Sequence, residues 1–537
     1  MHSYIRPDQF VALRLPSDML KIVKLIPDTT VNLGKYGLFP ANQIIGRPFY
    51  LTYEIDSPDE KDGHVLRAVS AAELHAEALI ADADVDGEAD GLEQEEGTPM
   101  RSNRETVDDA STQRLTVQEI EELKKTATGA GREIVEKILE SHSALDQKTA
   151  FSLAKYTLRK RKKFIKRFTI FPMDVSLLTN YILEGRDAAR TLELRDEHIG
   201  LLGCLGNVHH GGNLALDSSP VPKPNSRYFV VDDTGGLVVA AMAERMGILY
   251  PRDEDEADED EQQHTPNKRP RPAPMSASGN TITVVHSYSQ PNLSLLKYFG
   301  YDTDKPDESH PLHTHLKSIS WMQLIDPMAD PIYENEPPVL SASELESFKQ
   351  SKRSAYFHKR NRWEKVKSVV DEARDGGFDG LIVSTLMEPA GILKHLVPLL
   401  AGSGSVAVYS PTIEPLTQLM DMYSTARRTA FIHRRREIET QGGSDAELNE
   451  EFELDPTILL PPNLHTLRVR QWQVLPGRTH PLMSSRGGAE GYLFHGLRVF
   501  PSTQKIQAAG AFRKRRKVTS TATPGSDSDV EMASTSV

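Results

Sequence analysis

From about residue 191 the chain alternates short apolar runs with helix-forming stretches, and this alternation constrains its fold more than any other feature. Tyr228–Val231 reads as a strand, Asp232-Asp233-Thr234-Gly235-Gly236 as a turn and Leu237–Met246 as a helix. Thr281–Val285 comes next as strand, Leu293–Phe299 as helix and Ser341–Arg374 as a long, mostly polar helical stretch. Leu381–Ser384 and Ser405–Tyr409 read as strands, Ile392–Leu400 and Leu416–Tyr423 as helices. Apolar runs of this kind bury on both faces, so the pattern predicts a parallel sheet with helices on either side. Leu464–Val474 and Tyr492–Phe500 have no helix between them and imply an antiparallel addition at one edge.

The amino-terminal residues read differently. Phe10-Val11-Ala12-Leu13-Arg14-Leu15 and Leu20-Lys21-Ile22-Val23-Lys24-Leu25 alternate or cluster apolar residues. Gly34, Gly37, Pro40 and Gly46 punctuate the next stretch, and Tyr50–Ile55 alternates again. Closely spaced strands broken by glycine suggest a small antiparallel β-barrel. Thr116-Val117-Gln118-Glu119 fits a capping box, in which Thr116 and Glu119 satisfy free backbone donors at a helix start. A second helix is expected over Arg132–Ser141, with Ile134, Ile138 and Leu139 on one face. The expected organisation is a β-barrel with helical additions over residues 1–56 and 101–190, then a Rossmann-like α/β domain over 191–501. Residues 57–100, 252–279 and 502–537 are expected to be solvated and disordered.

Charge narrows the class of partner. The 537 residues carry a net −13, but fifteen acids from Glu54 to Glu96 face only Lys61 and Arg67, and Asp253–Glu261 adds eight acids in nine positions. These two stretches carry −13 and −8, so the rest of the chain is basic by +8. Like-charge blocks repel and bury nothing, which leaves a basic folded part suited to a polyanion. A single cysteine, Cys204, allows no internal disulfide and no multi-thiolate zinc site, and points to a reducing compartment. No run approaches the ~18 apolar residues of a membrane span. Arg6, Pro7 and Asp8 interrupt the start where a signal peptide needs an apolar core, so a soluble intracellular protein with no membrane partner is expected.

A strand ending in an acid, then a glycine turn and a helix, is the nucleotide-binding end of a doubly wound sheet. Glycines let the backbone approach the ligand, and the helix start offers free donors. The dinucleotide spacing is Gly-x-Gly-x-x-Gly, and methyltransferases of this fold use a related acid-x-Gly-x-Gly-x-Gly turn for S-adenosylmethionine. Asp232-Asp233-Thr234-Gly235-Gly236-Leu237-Val238 keeps only two glycines, adjacent to each other. A working cofactor site and a turn kept for packing both remain open on that pattern. The second strand ends Val285-His286-Ser287-Tyr288-Ser289 without a ribose-binding acid, the next acid being Asp302. Glu388, after Ser384-Thr385-Leu386, precedes Pro389 and reads as a helix cap rather than a base for an amine proton. His310, His313 and His315 lie in an expected loop with no cysteine beside them, and metal ligation is not expected. Neither a Gly-x-Ser-x-Gly elbow nor a phosphate loop is present.

Several stretches carry a resemblance. They are Val31-Asn32-Leu33-Gly34-Lys35-Tyr36-Gly37 with Asn42-Gln43-Ile44-Ile45-Gly46, and Asn103-Arg104 with Val107-Asp108-Asp109. Phe151–Tyr156 before a lysine run, Val474-Leu475-Pro476-Gly477-Arg478-Thr479-His480-Pro481 and Gly491-Tyr492-Leu493-Phe494-His495-Gly496 complete the set. Together they resemble the non-catalytic subunits of the eukaryotic tRNA (adenine-N1)-methyltransferase, which acts on the T-loop adenine at tRNA position 58. The resemblance runs from about residue 5 to 500, apart from the insertions. It implies a methyltransferase fold with a degenerate cofactor site and no cofactor in this chain, S-adenosylmethionine being bound by the catalytic partner. It also implies a heterotetramer of two catalytic and two non-catalytic chains, with tRNA held across both kinds. An active methyltransferase with an atypical cofactor turn and a nuclear scaffold protein are the alternatives.

The residues Lys155 to Phe168 include eight basic side chains, three aromatic ones and no acid. Phosphates attract cations through counterion release, and rings offer stacking faces. Lys155, Arg159, Lys160, Arg161, Lys162, Lys163, Lys166 and Arg167 are therefore candidate RNA contacts, against a solvated linker or import signal as the bland alternative. The resemblance implies tRNA contact here and in the loop holding Asn103, Arg104, Gln113 and Arg114, which alone reads as a turn. Arg478 and His480, in a link between strands, and Arg186 and Arg190 complete the candidates. Lys352, Arg353, Lys359, Arg360 and Arg362, interleaved with Tyr356, Phe357 and Trp363, read as a solvated helix face. Arg513-Lys514-Arg515-Arg516-Lys517, with Lys268–Arg271 as a second signal, suits an import receptor and predicts a nuclear location.

Overall fold

Short alternating segments open the chain as an antiparallel layer. The structure, a computed structural model, describes residues 4–56, 65–74, 115–126, 131–142, 150–185, 187–210, 226–250, 280–470, 472–475, 478–481 and 489–500. Phe10–Arg14 (β1) pairs with Leu20–Lys24 (β2), Thr30–Asn32 (β3) with Leu38–Pro40 (β4), and Thr52–Asp56 (β5) with Val65–Val69 (β6). Val117–Thr126 (α1), Arg132–Glu140 (α2) and Ala150–Phe164 (α3) then lead into Arg167–Pro172 (β7). The capping box forms as expected: Thr116 N–H donates to Glu119 Oε2 at 2.7 Å and Glu119 N–H to Thr116 Oγ1 at 3.2 Å.

β7 inserts between β1 and β5 and sets the order β2-β1-β7-β5-β6. The expected barrel is thereby corrected to an open antiparallel sheet, whose edge strands β2 and β6 do not meet. The sheet buries both faces without closing. Val11, Leu13, Tyr53, Ile55, Phe168 and Ile170 pack with Val31 and Phe39 of the β3–β4 hairpin. Ala12, Ile22 and Phe171 join the core of the larger domain instead. β6 is a second correction, since it lies inside the acidic stretch expected to be disordered. Its alternating Val65, Arg67 and Val69 give β5 a partner, with Arg67 set against Glu54 across the pair.

Val175–Glu184 (α4) and Asp196–Leu205 (α5) lead into the larger domain. Its first half holds Arg227–Asp232 (β8), Leu237–Met246 (α6), Thr281–His286 (β9), Leu316–Ser320 (β10), Trp321–Ile325 (α7) and Gln350–Asp375 (α8). Phe378–Ser384 (β11), Pro389–Leu396 (α9), Leu400–Ser410 (β12), Glu414–Met422 (α10), Thr425–Gln441 (α11) and Asp445–Glu451 (α12) come after it. Asn463–His465 (β13), Trp472–Leu475 (β14), Arg478–Pro481 (β15) and Tyr492–Leu497 (β16) end the described elements. The sheet runs β10-β9-β8-β11-β12-β16-β13, with β8 to β12 parallel and β16 antiparallel to both neighbours. This is a Rossmann-like mixed sheet, and its strand order reverses at β8.

Consecutive apolar residues serve opposite faces of that sheet. Tyr228 and Val230 enter the core under α4, α5 and α6, whereas Phe229 and Val231 enter the core under α8, α9 and α10. Three local expectations change. The helix expected over Leu293–Phe299 is a single 3₁₀ turn at Leu296–Phe299, β10 appears where no strand was expected, and β14 leaves the main sheet to pair with β15. Met1–Val499 forms one compact unit, so both layers share a continuous body. Among the described residues no helix is long and apolar enough to cross a membrane.

Candidate nucleic-acid interface and the glycine turn

β8 delivers Asp232 and Asp233 to the carboxyl end of the sheet, where ligands bind in folds of this kind. Both carboxylates are already engaged. Asp232 is buried and accepts from Thr234 N–H at 2.6 Å, the Thr234 hydroxyl at 2.5 Å and Val239 N–H at 3.2 Å. Burial pushes its carboxyl up to about 6, with the donors pulling the other way. Asp233 accepts from the Thr385 hydroxyl and from Leu386 N–H at 3.3 Å, which ties the turn to the loop after β11.

Gly235 and Gly236 adopt φ of +74° and +92°, and both are buried by their own chain. Leu295 N–H donates to the Gly235 carbonyl at 3.0 Å. A Cβ on Gly236 would stand 3.0 Å from the Leu293 Cα. Arg190 lies beside them and donates to Ser294 Oγ at 2.7 Å. S-adenosylmethionine requires a glycine backbone it can approach and an acid for its ribose. Leu293–Leu295 covers the first, and the second strand ends at His286, whose ring bonds the Tyr288 carbonyl at 2.8 Å and whose burial lowers its pKa. The residues present do not fit that cofactor. Glu388 stands at the cap position of α9, but its exposed side chain makes no capping bond. His310 is buried, accepts from Leu312 N–H at 3.1 Å and packs as a core histidine.

The cations of the basic run gather on α3. Positions Lys155, Arg159 and Lys162 recur along one side of that helix at i, i+4 and i+7. Arg159 and Lys163 are exposed, while Lys160, Arg161 and Lys166 are half-buried. Lys160 and Lys163 sit over the rings of Tyr156 and Phe164, at 4.8 and 5.4 Å. Arg167 is set apart. It is turned inward, with Nε donating to Glu54 at 3.0 Å.

Glu54 is buried at the head of a charged cluster that carries no signature in the sequence, because it gathers residues from 54 to 167. Arg132 Nη2 reaches it at 2.8 Å and Arg67 also pairs with it, while Glu73 bridges the same two arginines at 3.0 and 2.5 Å. Burial works to raise the Glu54 pKa, but hydrogen bonds from Arg167, Arg67 and Arg132 outweigh it and hold the carboxyl below its ordinary range. The cluster pins the start of α2 and the exit of α3 to the sheet. The other candidates are elsewhere: Arg190 beside the glycine turn, Arg478 and the exposed His480 on the β14–β15 hairpin. Asn103, Arg104, Gln113, Arg114 and Arg186 lie outside the described residues, as do Lys268–Arg271 and Arg513–Lys517.

Known proteins resemble this chain over most of its length. The trm6 non-catalytic subunit of the tRNA (adenine(58)-N(1))-methyltransferase of Aspergillus fumigatus is 62% identical over 99% of this chain and 100% of its own. The trm6 non-catalytic subunit of Schizosaccharomyces pombe is 29% identical over 96% of each chain. A solved SAM-dependent O-methyltransferase from Thermotoga maritima aligns with 94% of this chain and 97% of its own, at 9% identity and a TM-score of 0.40. The Gcd10p family matches residues 4–349. Because that family model covers more than half of the chain, the chain belongs to the Gcd10p family.

Proposed function

We propose that this chain is the non-catalytic subunit of a tRNA (adenine(58)-N(1))-methyltransferase. It binds tRNA and holds a catalytic partner in productive geometry, and that partner binds the S-adenosylmethionine. Two chains of each kind assemble into the working heterotetramer, which acts in the nucleus. The names of the curated relatives support the assignment. The observation that carries it is the packing of Leu293–Leu295 onto Gly235 and Gly236, which denies a cofactor the backbone it would bind. Exposed cations on α3 support the RNA role, since phosphates release counterions to such a surface. A subunit of this kind accelerates methyl transfer without touching the methyl group. Holding the adenine and the catalytic site in register removes orientational freedom, which is a large share of many barriers.

Calorimetry tests the division of labour. The isolated chain is expected to give no saturable heat with S-adenosylmethionine at micromolar concentration, while the complex with its catalytic partner gives a clear isotherm. Saturable binding by the isolated chain would overturn the proposal and point to an active methyltransferase.

A further inference from the structure

In an open α/β sheet the ligand crevice lies outside the carboxyl ends of the parallel strands. Here that end presents apolar side chains. Tyr288 comes after β9, Met322 and Ile325 lie on α7 just after β10, Leu386 and Met387 come after β11, and Ile413 after β12. All six are exposed, Leu386 by 77% and Tyr288 by 67%. The strand order sets these segments side by side, and the Ser287 hydroxyl meets Met387 Sδ at 3.6 Å, joining the loops after β9 and β11. Exposed apolar patches of this kind mark interaction sites, and methionine and aromatic residues are enriched at the centres of protein interfaces.

Charge decides which class of macromolecule the patch suits. Residues 287–292, 321–330, 385–388 and 411–414 contain no lysine or arginine. They do carry Asp326, Glu388 and Glu414, all exposed. The neighbouring cations are committed: Arg190 to Ser294 at 2.7 Å and Asp187 at 3.8 Å, Arg374 to the Leu324 and Ile325 carbonyls at 2.7 and 3.2 Å. An apolar centre with an acidic fringe repels an RNA backbone and complements a protein surface with an apolar centre and a basic fringe.

We propose that this end of the sheet, no longer a cofactor mouth, is the face on which the catalytic methyltransferase subunit docks. The identity of the occupant rests on the function proposed above. The test co-expresses the full chain with its catalytic subunit and measures their affinity, alongside tRNA affinity of the isolated chain. Leu386→Asp combined with Met387→Asp should weaken subunit association thirtyfold or more, as removal of a buried interface anchor does. Glu388→Lys combined with Glu414→Lys should slow association and alter its salt dependence, and it keeps the test decisive if the first variant fails to fold. Neither variant should bind tRNA more weakly than the parent does. Association within twofold of the parent in both folded variants overturns the proposal, as does reduced tRNA affinity with association intact. Self-association of the isolated chain that these substitutions abolish would also overturn it, by making a second copy the occupant. A parent chain that never associates with the catalytic subunit would instead refute the proposed function itself.

Discussion

Asp232 shows how a single buried carboxyl ties the glycine turn to pH. Its carboxyl, buried at about 6, sits above the ordinary carboxylate value of ~3.9. A raised acid favours the folded state while protonated, so its contribution is full below pH ~4 and is lost as pH rises through about 6. Asp232→Asn should therefore flatten the stability profile between those values, by on the order of 3 kcal/mol, as read from chemical denaturation across that range. Glu54 has the opposite sign. Its lowered pKa makes it stabilising once ionised, and its removal takes the carboxylate from Arg167 and leaves Glu73 alone to bridge Arg67 and Arg132. Glu54→Ala is expected to cost roughly 3 kcal/mol, the low end for breaking a buried charge cluster because two of the arginines reach solvent. A loss of unfolding free energy of less than a third of that, from denaturant titration, would show the cluster to be incidental.

At the scale of elements, two glycines separate packing from backbone strain. Gly236 and Gly300 have similar φ, +92° and +88°, but a Cβ on Gly236 would press on Leu293 whereas one on Gly300 meets nothing within 4 Å. Gly300→Ala should cost about 1 kcal/mol from conformation alone, and Gly236→Ala roughly 2–3, measured as paired urea midpoints. The apolar runs of β8, β9, β11 and β12 were legible because each is buried on both faces and so carries no polar alternation. β10 was not, because Leu316-Lys317-Ser318-Ile319-Ser320 holds only two apolar residues. The strand survives because buried Lys317 finds Glu372 of α8 at 2.5 Å. Leu293–Leu295 looked like the first turn of a helix, and only its packing against the glycine turn explains why the helix starts late. The cations of α3 were legible as a run, but the inward turn of Arg167 was not, since its partner Glu54 lies on another strand.

For the whole molecule, separating cations by element gives a quantitative expectation. Replacing Lys160, Arg161, Lys162 and Lys163 with Ala should weaken tRNA binding and reduce the log–log salt slope by roughly 0.7–0.9 for each phosphate no longer neutralised. Titrations at several salt concentrations read this directly, and an unchanged slope would mean that these α3 residues neutralise no phosphate. The order of the amino-terminal sheet matters in a different way while the chain is being made. Among the described strands β1 and β5 share no hydrogen bonds with each other and are joined within the sheet by β7, which begins at Arg167. Until the ribosome has delivered that segment, the earlier hairpins stand apart with open edges, the form of strand most prone to pair with other chains. A nascent chain stalled before Arg167 is thus two unjoined halves of a sheet and a substrate for chaperones. A message truncated there would be expected to yield aggregate rather than an amino-terminal domain.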